Sequence, residues 1–436
     1  VIDHDSYAPQ SGDPAFDVES YELDVSYRVR TNRLEGRAVV NAVAAVATSS
    51  VGLDLIGLRA SRVRVDGDRR TRFTQGPRKL RVTLPRRMEA GERFSVEITY
   101  AGTPAPRRTR WGTIGFEELE DGALVASQPT GAPTWFPCND RPDDRARYTI
   151  TIATDAGYSA VATGALIGSA RRGQFEARTF RSDDPTATYL TAVHVGRYET
   201  RLLPSTVGRA GVPVSTVHPP ALRADVDAAF EPVPRMLRLF ESTFGPYPLE
   251  SCTLVVTPDE LEIPLEAQGM AVFGANHLDA DSERLVAHEL AHQWFGNSIG
   301  VARWRDIWLN EGFACYAEWL WAEASGGASA DECARRHYEG LAVLAHDLVV
   351  SDPGPELMFD DRLYKRGALA LHALRAVAGD TAFFAMLRSW IASRVHHTVT
   401  TEEFRSFVAA ELGGAAEALL TRWIDVAALP PFPHGR

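Results

Sequence analysis

The sequence predicts an α+β, multidomain protein: an N-terminal β domain of saddle or sandwich type, followed by a mainly helical domain. Three observations carry this. Apolar and polar residues alternate with period two over roughly the first 200 residues. From about residue 219 the apolar spacing turns helical. At 436 residues the chain is long enough for more than one core.

Residues 21–30 (YELDVSYRVR) alternate, as do 34–46, 79–85, 93–100 and 148–153, with Gly, Pro, Asn and Asp clustered between them. Residues 221–244 have helical spacing, and 252–256 form a short apolar strand. Residues 282–297, 307–325, 363–378, 381–393 and 401–412 continue as helices. The boundary is placed in the Gly- and Pro-containing stretch 200–219, which gives a β domain at 1–205 and a second domain at 206–436. The short arginine groups at 69–72 and 107–110 lie beside turn residues and read as solvated surface.

The composition, 45% hydrophobic and 24% charged, is that of a chain with a packed core. A net charge of -11 argues against a nucleic-acid partner. Lys79 and Lys365 are the two lysines; arginine supplies the other positive charge. The four cysteines form no C-x-x-C pair and read as buried free thiols. No segment has the length and apolarity of a membrane span, so no membrane partner is expected. The start lacks Met and the apolar core of a signal peptide. It therefore reads as trimmed; the expected location is cytoplasmic, the alternative being secretion with the signal removed, and the expected state is a monomer.

The strongest chemical signal is His288-Glu289-Leu290-Ala291-His292, an H-E-x-x-H motif. Helical residues four apart lie about 40° apart around the axis, so both imidazoles can reach one metal ion. Leu285, Val286, Leu290, Trp294 and Phe295 give the helix a buried setting, which fixes ligand rotamers. Trp308-Leu309-Asn310-Glu311-Gly312 opens the next helix, with 18 residues between His292 and Glu311. Two antiparallel helices return Glu311 to the histidines and complete a His2Glu zinc set with an open position. Glu289 is turned by about 100° from His288 and reaches that open position. There it takes a proton from zinc-bound water and passes it to the leaving amine. His194, His218 and His337 have no ligand spacing and read as structural or exposed.

Four blocks then carry a resemblance over nearly the whole chain: residues 4–23 (HDSYAPQSGDPAFDVESYEL), 127–140 (SQPTGAPTWFPCND), VAHELAHQWFGN with WLNEGFACYAEW, and Tyr364-Lys365-Arg366-Gly367-Ala368. In family order and spacing they resemble the aminopeptidase N family of zinc metallopeptidases, a gluzincin group that also contains leukotriene hydrolase. The resemblance implies a thermolysin-like catalytic domain, one zinc ion per chain, and peptide substrates with a free N-terminus. It implies that the Tyr364 hydroxyl donates to the oxyanion of the tetrahedral intermediate. It also implies that Glu266, in Ile263-Pro264-Leu265-Glu266-Ala267, pairs with the substrate's α-ammonium, with Leu265 beside the substrate. The family has G-A-M-E-N there, and only the glutamate is kept. Pro264 offers no N–H and Ala267 no amide. Gln128 falls where many members carry a second amine-binding glutamate and leukotriene hydrolase relatives carry glutamine. It can accept from the ammonium but brings no charge. The chain ends soon after Tyr364, as expected of a short form without the large C-terminal helical domain.

The function so implied is removal of N-terminal residues by attack of a zinc-bound water, with Glu289 as base then acid and Tyr364 as oxyanion stabiliser. A leukotriene-hydrolase-like epoxide hydrolase, or a dual-function enzyme, is the alternative. A non-catalytic peptide-binding scaffold is the third reading, and the retained ligands and Glu289 speak against it.

Overall fold

The computed structural model describes residues 4–432. The expectation about the chain's first residues falls partly outside them. The first half is β-rich. A seven-stranded sheet runs Ala165–Arg172, Phe175–Ala187, Arg145–Asp155, Phe16–Arg28, Arg33–Ala44, Arg93–Gly102, Arg59–Val65. A three-stranded sheet (Thr48–Asp54, Lys79–Met88, Phe73–Gln75) and a five-stranded one complete this half. The five-stranded sheet runs Ser159–Ala162, Val193–Gly196, Gly122–Ala126, Gly112–Leu119, Arg107–Thr109. Every alternating stretch named from the sequence lies in or across one of these strands.

The helices are α1 (Arg223–Ala229), α2 (Val233–Phe244), α3 (Glu283–Ala291), α4 (Trp308–Ala324), α5 (Ala330–Ala342), α6 (Asp361–Ala378), α7 (Asp380–Arg394), α8 (Thr401–Leu412) and α9 (Gly414–Ile424). The single helix expected at 221–244 is broken between α1 and α2. Pro232 has no N–H for the ladder, and the residue before a proline is held away from helical geometry. The helix expected at 282–297 ends at Ala291, so His292 is its cap. The capping box that starts α5, Ser329 with Glu332, is a helix signal readable in the sequence.

The stretch read as the domain boundary is a hairpin. Glu199–Val207 pairs with Val212–His218, which continues in parallel to Cys252–Val256 and then Met270–Phe273, with Leu265–Ala267 at the edge. The expected division at 205/206 therefore lies inside a strand of this second five-stranded sheet. The sheet separates the two halves by its pleat. Leu254, Val256, Ala271 and Phe273 belong to the core of the helical half, whereas Val255, Met270 and Val272 face the core of the β half.

Two further ties cross between the halves. At the start of the described chain, Asp5 Oδ2 accepts from Trp304 N at 2.7 Å, and the Tyr7 hydroxyl bonds Asp352 and, at 2.6 Å, accepts from Gly354 N. Arg145, half-buried in the seven-stranded sheet, donates to the carbonyls of Pro185 and Asn297, the latter just beyond the H-E-x-x-H helix. Among the described residues no helix is long and apolar enough to cross a membrane.

Candidate active site

Helix α3 presents His288 and His292 one turn apart, and α4 packs beside it. Past His292 the chain turns sharply at Gly296, whose φ of 111° favours glycine. That turn brings the Phe295 carbonyl to 2.9 Å from His292 Nδ1. His288 Nδ1 lies 2.7 Å from Glu318 Oε1. With each Nδ1 engaged, both Nε2 atoms face Glu311 Oε2, at 3.6 Å from His288 and 3.4 Å from His292. The three ligand atoms lie within 4.8 Å of one another and all three residues are buried. Two imidazole nitrogens and one carboxylate oxygen, each imidazole held by an outer partner, fit a catalytic zinc ion.

The charge balance points the same way. Burial works against charge on His288, but Glu311 and Glu318 outweigh it and lift its pKa to about 9. Burial is likewise outweighed at His292, where Glu311 and Glu266 raise the value to about 10. Burial alone would raise Glu311, yet His292 and His288 bring it down to about 2. Glu318, also buried, is held at about 2 by its bond to His288. Two ionised carboxylates, Glu311 and Glu318, thus stand beside two imidazoles that hold their protons, and a divalent cation would take the place of those protons.

Glu289 is buried, and burial lifts its carboxyl to about 8 despite the nearby histidines. Its Oε2 has no hydrogen-bond partner among the described residues. Its carboxylate, that of Glu266 and a His292 nitrogen lie within 4.8 Å of one another. Glu266 sits on the edge strand Leu265–Ala267, and burial raises its pKa as well. Tyr364, in the first turn of α6, stacks its ring 6.1 Å from that of His288. Burial and then the carboxylates of Glu311, Glu266 and Glu289 hold its phenol well above the usual range, so it stays a donor.

The fold thus assembles His288, His292, Glu311, Glu289, Glu266 and Tyr364 from four separate segments. One expected residue, Leu265, points away from this cluster. Leu265 packs against the core of the β half, because neighbouring strand residues face opposite ways and Glu266 takes the cluster side. Its side chain is therefore not part of the cluster. Gln128 lies in the loop after Gly122–Ala126, half-buried, with an amide nitrogen that has no partner among the described residues. Sequence reasoning missed Glu318. Its signal was its place two helical turns beyond Glu311, on the same face of α4.

The profile of the peptidase family M1 domain matches residues 228–423, and that of the peptidase M1 N-terminal domain matches residues 17–190. An M1 zinc metallopeptidase from Deinococcus radiodurans superposes with a TM-score of 0.92 and 34% identity, over 99% of each chain. The chain belongs to peptidase family M1. A variant of the Deinococcus M1 enzyme has been solved with a Tyr-Ser-Ala substrate, and a two-domain M1 zinc metallopeptidase variant with L-arginine, each at 34% identity and a TM-score of 0.92 over 99% of both chains. Human endoplasmic reticulum aminopeptidase 1 is 27% identical over 424 residues, which is 88% of this chain and 44% of that protein. This M1 chain therefore spans less than half the length of that relative, and it matches the two-domain M1 architecture end to end.

Proposed function

We propose that this M1 peptidase is a zinc-dependent aminopeptidase that releases N-terminal residues from peptides. One observation carries the reading: the buried, unpartnered Oε2 of Glu289, set among His288, His292 and Glu311 with the Glu266 carboxylate in the same cluster. A lone basic oxygen in a dry site has a proton to handle. A second carboxylate beside it has a cation to hold.

His288, His292 and Glu311 hold one zinc ion per chain. When bound, zinc supplies Lewis acidity, polarising the scissile carbonyl and making water more acidic. Glu289 Oε2 accepts the proton of the attacking water and returns it to the leaving amine. The Tyr364 hydroxyl donates to the oxygen that becomes negative in the transition state. Glu266 pairs with the substrate's α-ammonium and so sets which carbonyl reaches the reacting centre. The Glu289→Gln protein, assayed on aminoacyl anilides and analysed for zinc, is the test. Expected is at least a 1,000-fold loss of kcat with zinc content unchanged (about 4 kcal/mol). Full activity in that variant would overturn the mechanism.

A further inference from the structure

Two side-chain amides follow His292 closely in sequence, Gln293 and Asn297, and both are fully buried. Neither belongs to the zinc set or to the proton transfer. Asn297 N donates to the His292 carbonyl at 3.0 Å, so the turn after the helix keeps both amides beside the second histidine. Their partners lie on another element. This is the hairpin whose first strand, Leu265–Ala267, carries Glu266 and whose second is Met270–Phe273. Asn297 Nδ2 donates to the Ala267 carbonyl at 2.7 Å. Gly269 N donates to Gln293 Oε1 at 3.0 Å, and Gln293 Nε2 donates to the Met270 carbonyl at 3.2 Å. The amides also join each other, Asn297 Nδ2 donating to Gln293 Oε1 at 3.1 Å.

The Gln293 amide has one usable orientation. Gly269 N only donates, while the carbonyls of Met270 and Glu289, which Nε2 meets at 3.2 Å each, only accept. A glutamate at 293 would turn an oxygen toward both carbonyls. The hairpin needs such support. Leu265–Ala267 is three residues long and lies at the edge of its sheet, paired on one side with Met270–Phe273. A ladder this short holds a strand weakly. The amides bind the tip of the hairpin where a second neighbouring strand would otherwise be needed.

We infer that Gln293 and Asn297 form a clamp that fixes the Glu266 carboxylate relative to His288 and His292, and so sets the separation between the amine anchor and the metal ligands. The inference rests on the reading of Glu266 as the amine anchor. Both amides act through the hairpin, so they are positioning residues. Their contribution is large because a misplacement of about 1 Å can cost about 100-fold.

Leucine hydroxamic acid and its des-amino analogue, isocaprohydroxamic acid, share a side chain and a metal-binding group and differ in the α-ammonium. Calorimetric titration of the full zinc-loaded chain with each compound gives a ratio of Kd values that reads the amine anchor without turnover. The proteins compared are wild type, Glu266→Gln, Gln293→Met, Asn297→Ala and the Glu266→Gln/Asn297→Ala double variant. Wild type is expected to prefer the amino compound, and each single variant to lower that preference at least tenfold. The Kd of the des-amino compound and the zinc content should stay within threefold of wild type. The double variant should lose little beyond Glu266→Gln alone, because the two changes remove one interaction. Asn297→Ala keeps the backbone carbonyl that Arg145 holds, so it decides the question where Gln293→Met does not fold. Equal weakening of both compounds in Asn297→Ala assigns the amides to the metal helix and overturns the inference, as does an unchanged preference. A wild-type preference that Glu266→Gln leaves untouched overturns the amine-anchor reading instead, and the clamp falls with it.

Discussion

Gly312 of α4 and Gly367 of α6 face each other where the two helices cross. A methyl group on Gly312 would sit 3.0 Å from the Gly367 Cα, and one on Gly367 would sit 2.9 Å from the Gly312 Cα. Each glycine is close in sequence to a cluster residue: Glu311 precedes one and Tyr364 stands three before the other. The bare backbone contact is what lets the ligand helix and the tyrosine helix approach. Gly312→Ala or Gly367→Ala is expected to push them apart, lowering stability by about 1–3 kcal/mol. Turnover should fall at least tenfold. Urea denaturation beside steady-state kinetics measures both, and native turnover in the two variants would refute the close-approach account.

Tyr364→Phe keeps the ring that stacks on His288 and removes the hydroxyl. The loss should appear in kcat, by about 100- to 1,000-fold, as for one donor removed from an oxyanion site. KM and zinc content should hardly move. A variant whose defect lies in KM would instead assign the hydroxyl to ground-state binding.

Glu318→Gln leaves His288 Nδ1 with a neutral acceptor in place of a carboxylate. Such outer partners orient the ring and raise its basicity, so zinc affinity should drop about 10- to 100-fold. Competition against a chelator reads this without any assay of turnover. Unchanged affinity would show that packing alone holds the ring.

Asp140 offers a pH test outside the His288, His292 and Glu311 cluster. Burial, then the charge of Asp54, raises its carboxyl to about 7, and its Oδ2 has no hydrogen-bond partner among the described residues. An unfolded aspartate titrates near 3.9. The folded state therefore binds the extra proton between these values, and stability is lost as pH rises through 7. Asp140→Asn removes the buried charge while keeping an acceptor for the Thr188 hydroxyl, which donates to Oδ1 at 2.7 Å. The variant should match wild type near pH 4 and exceed it by up to a few kcal/mol at pH 8. Denaturant midpoints across that range measure the difference, and a pH-independent difference would mean that Asp140 stays charged throughout.

The proposed zinc ligands were legible because metal chemistry imposes spacing on the chain itself: imidazoles four positions apart, and a return helix for Glu311. Strand alternation was legible for the same reason, since the pleat repeats locally. What escaped depends on partners distant in sequence. The hairpin at 199–218 read as a domain boundary because its strands take their place from Cys252–Val256, which follows a helical segment. Leu265 was grouped with Glu266 because adjacency in sequence hides that a strand turns neighbours to opposite faces. Glu318 was passed over because its role exists only once α3 lies against α4. The break at Pro232 was readable, and apolar spacing alone concealed it.

The Tyr7 hydroxyl meets Asp352 across a separation of 345 residues in the chain. Contacts so far apart in sequence close late, because the loop between them must first become ordered. The helical half, though it holds all three proposed zinc ligands, completes this packing only when residues 5–7 reach it. Made as a separate fragment from residue 206 onward, it would keep its H-E-x-x-H helix and leave the Trp304 and Gly354 amides unanswered.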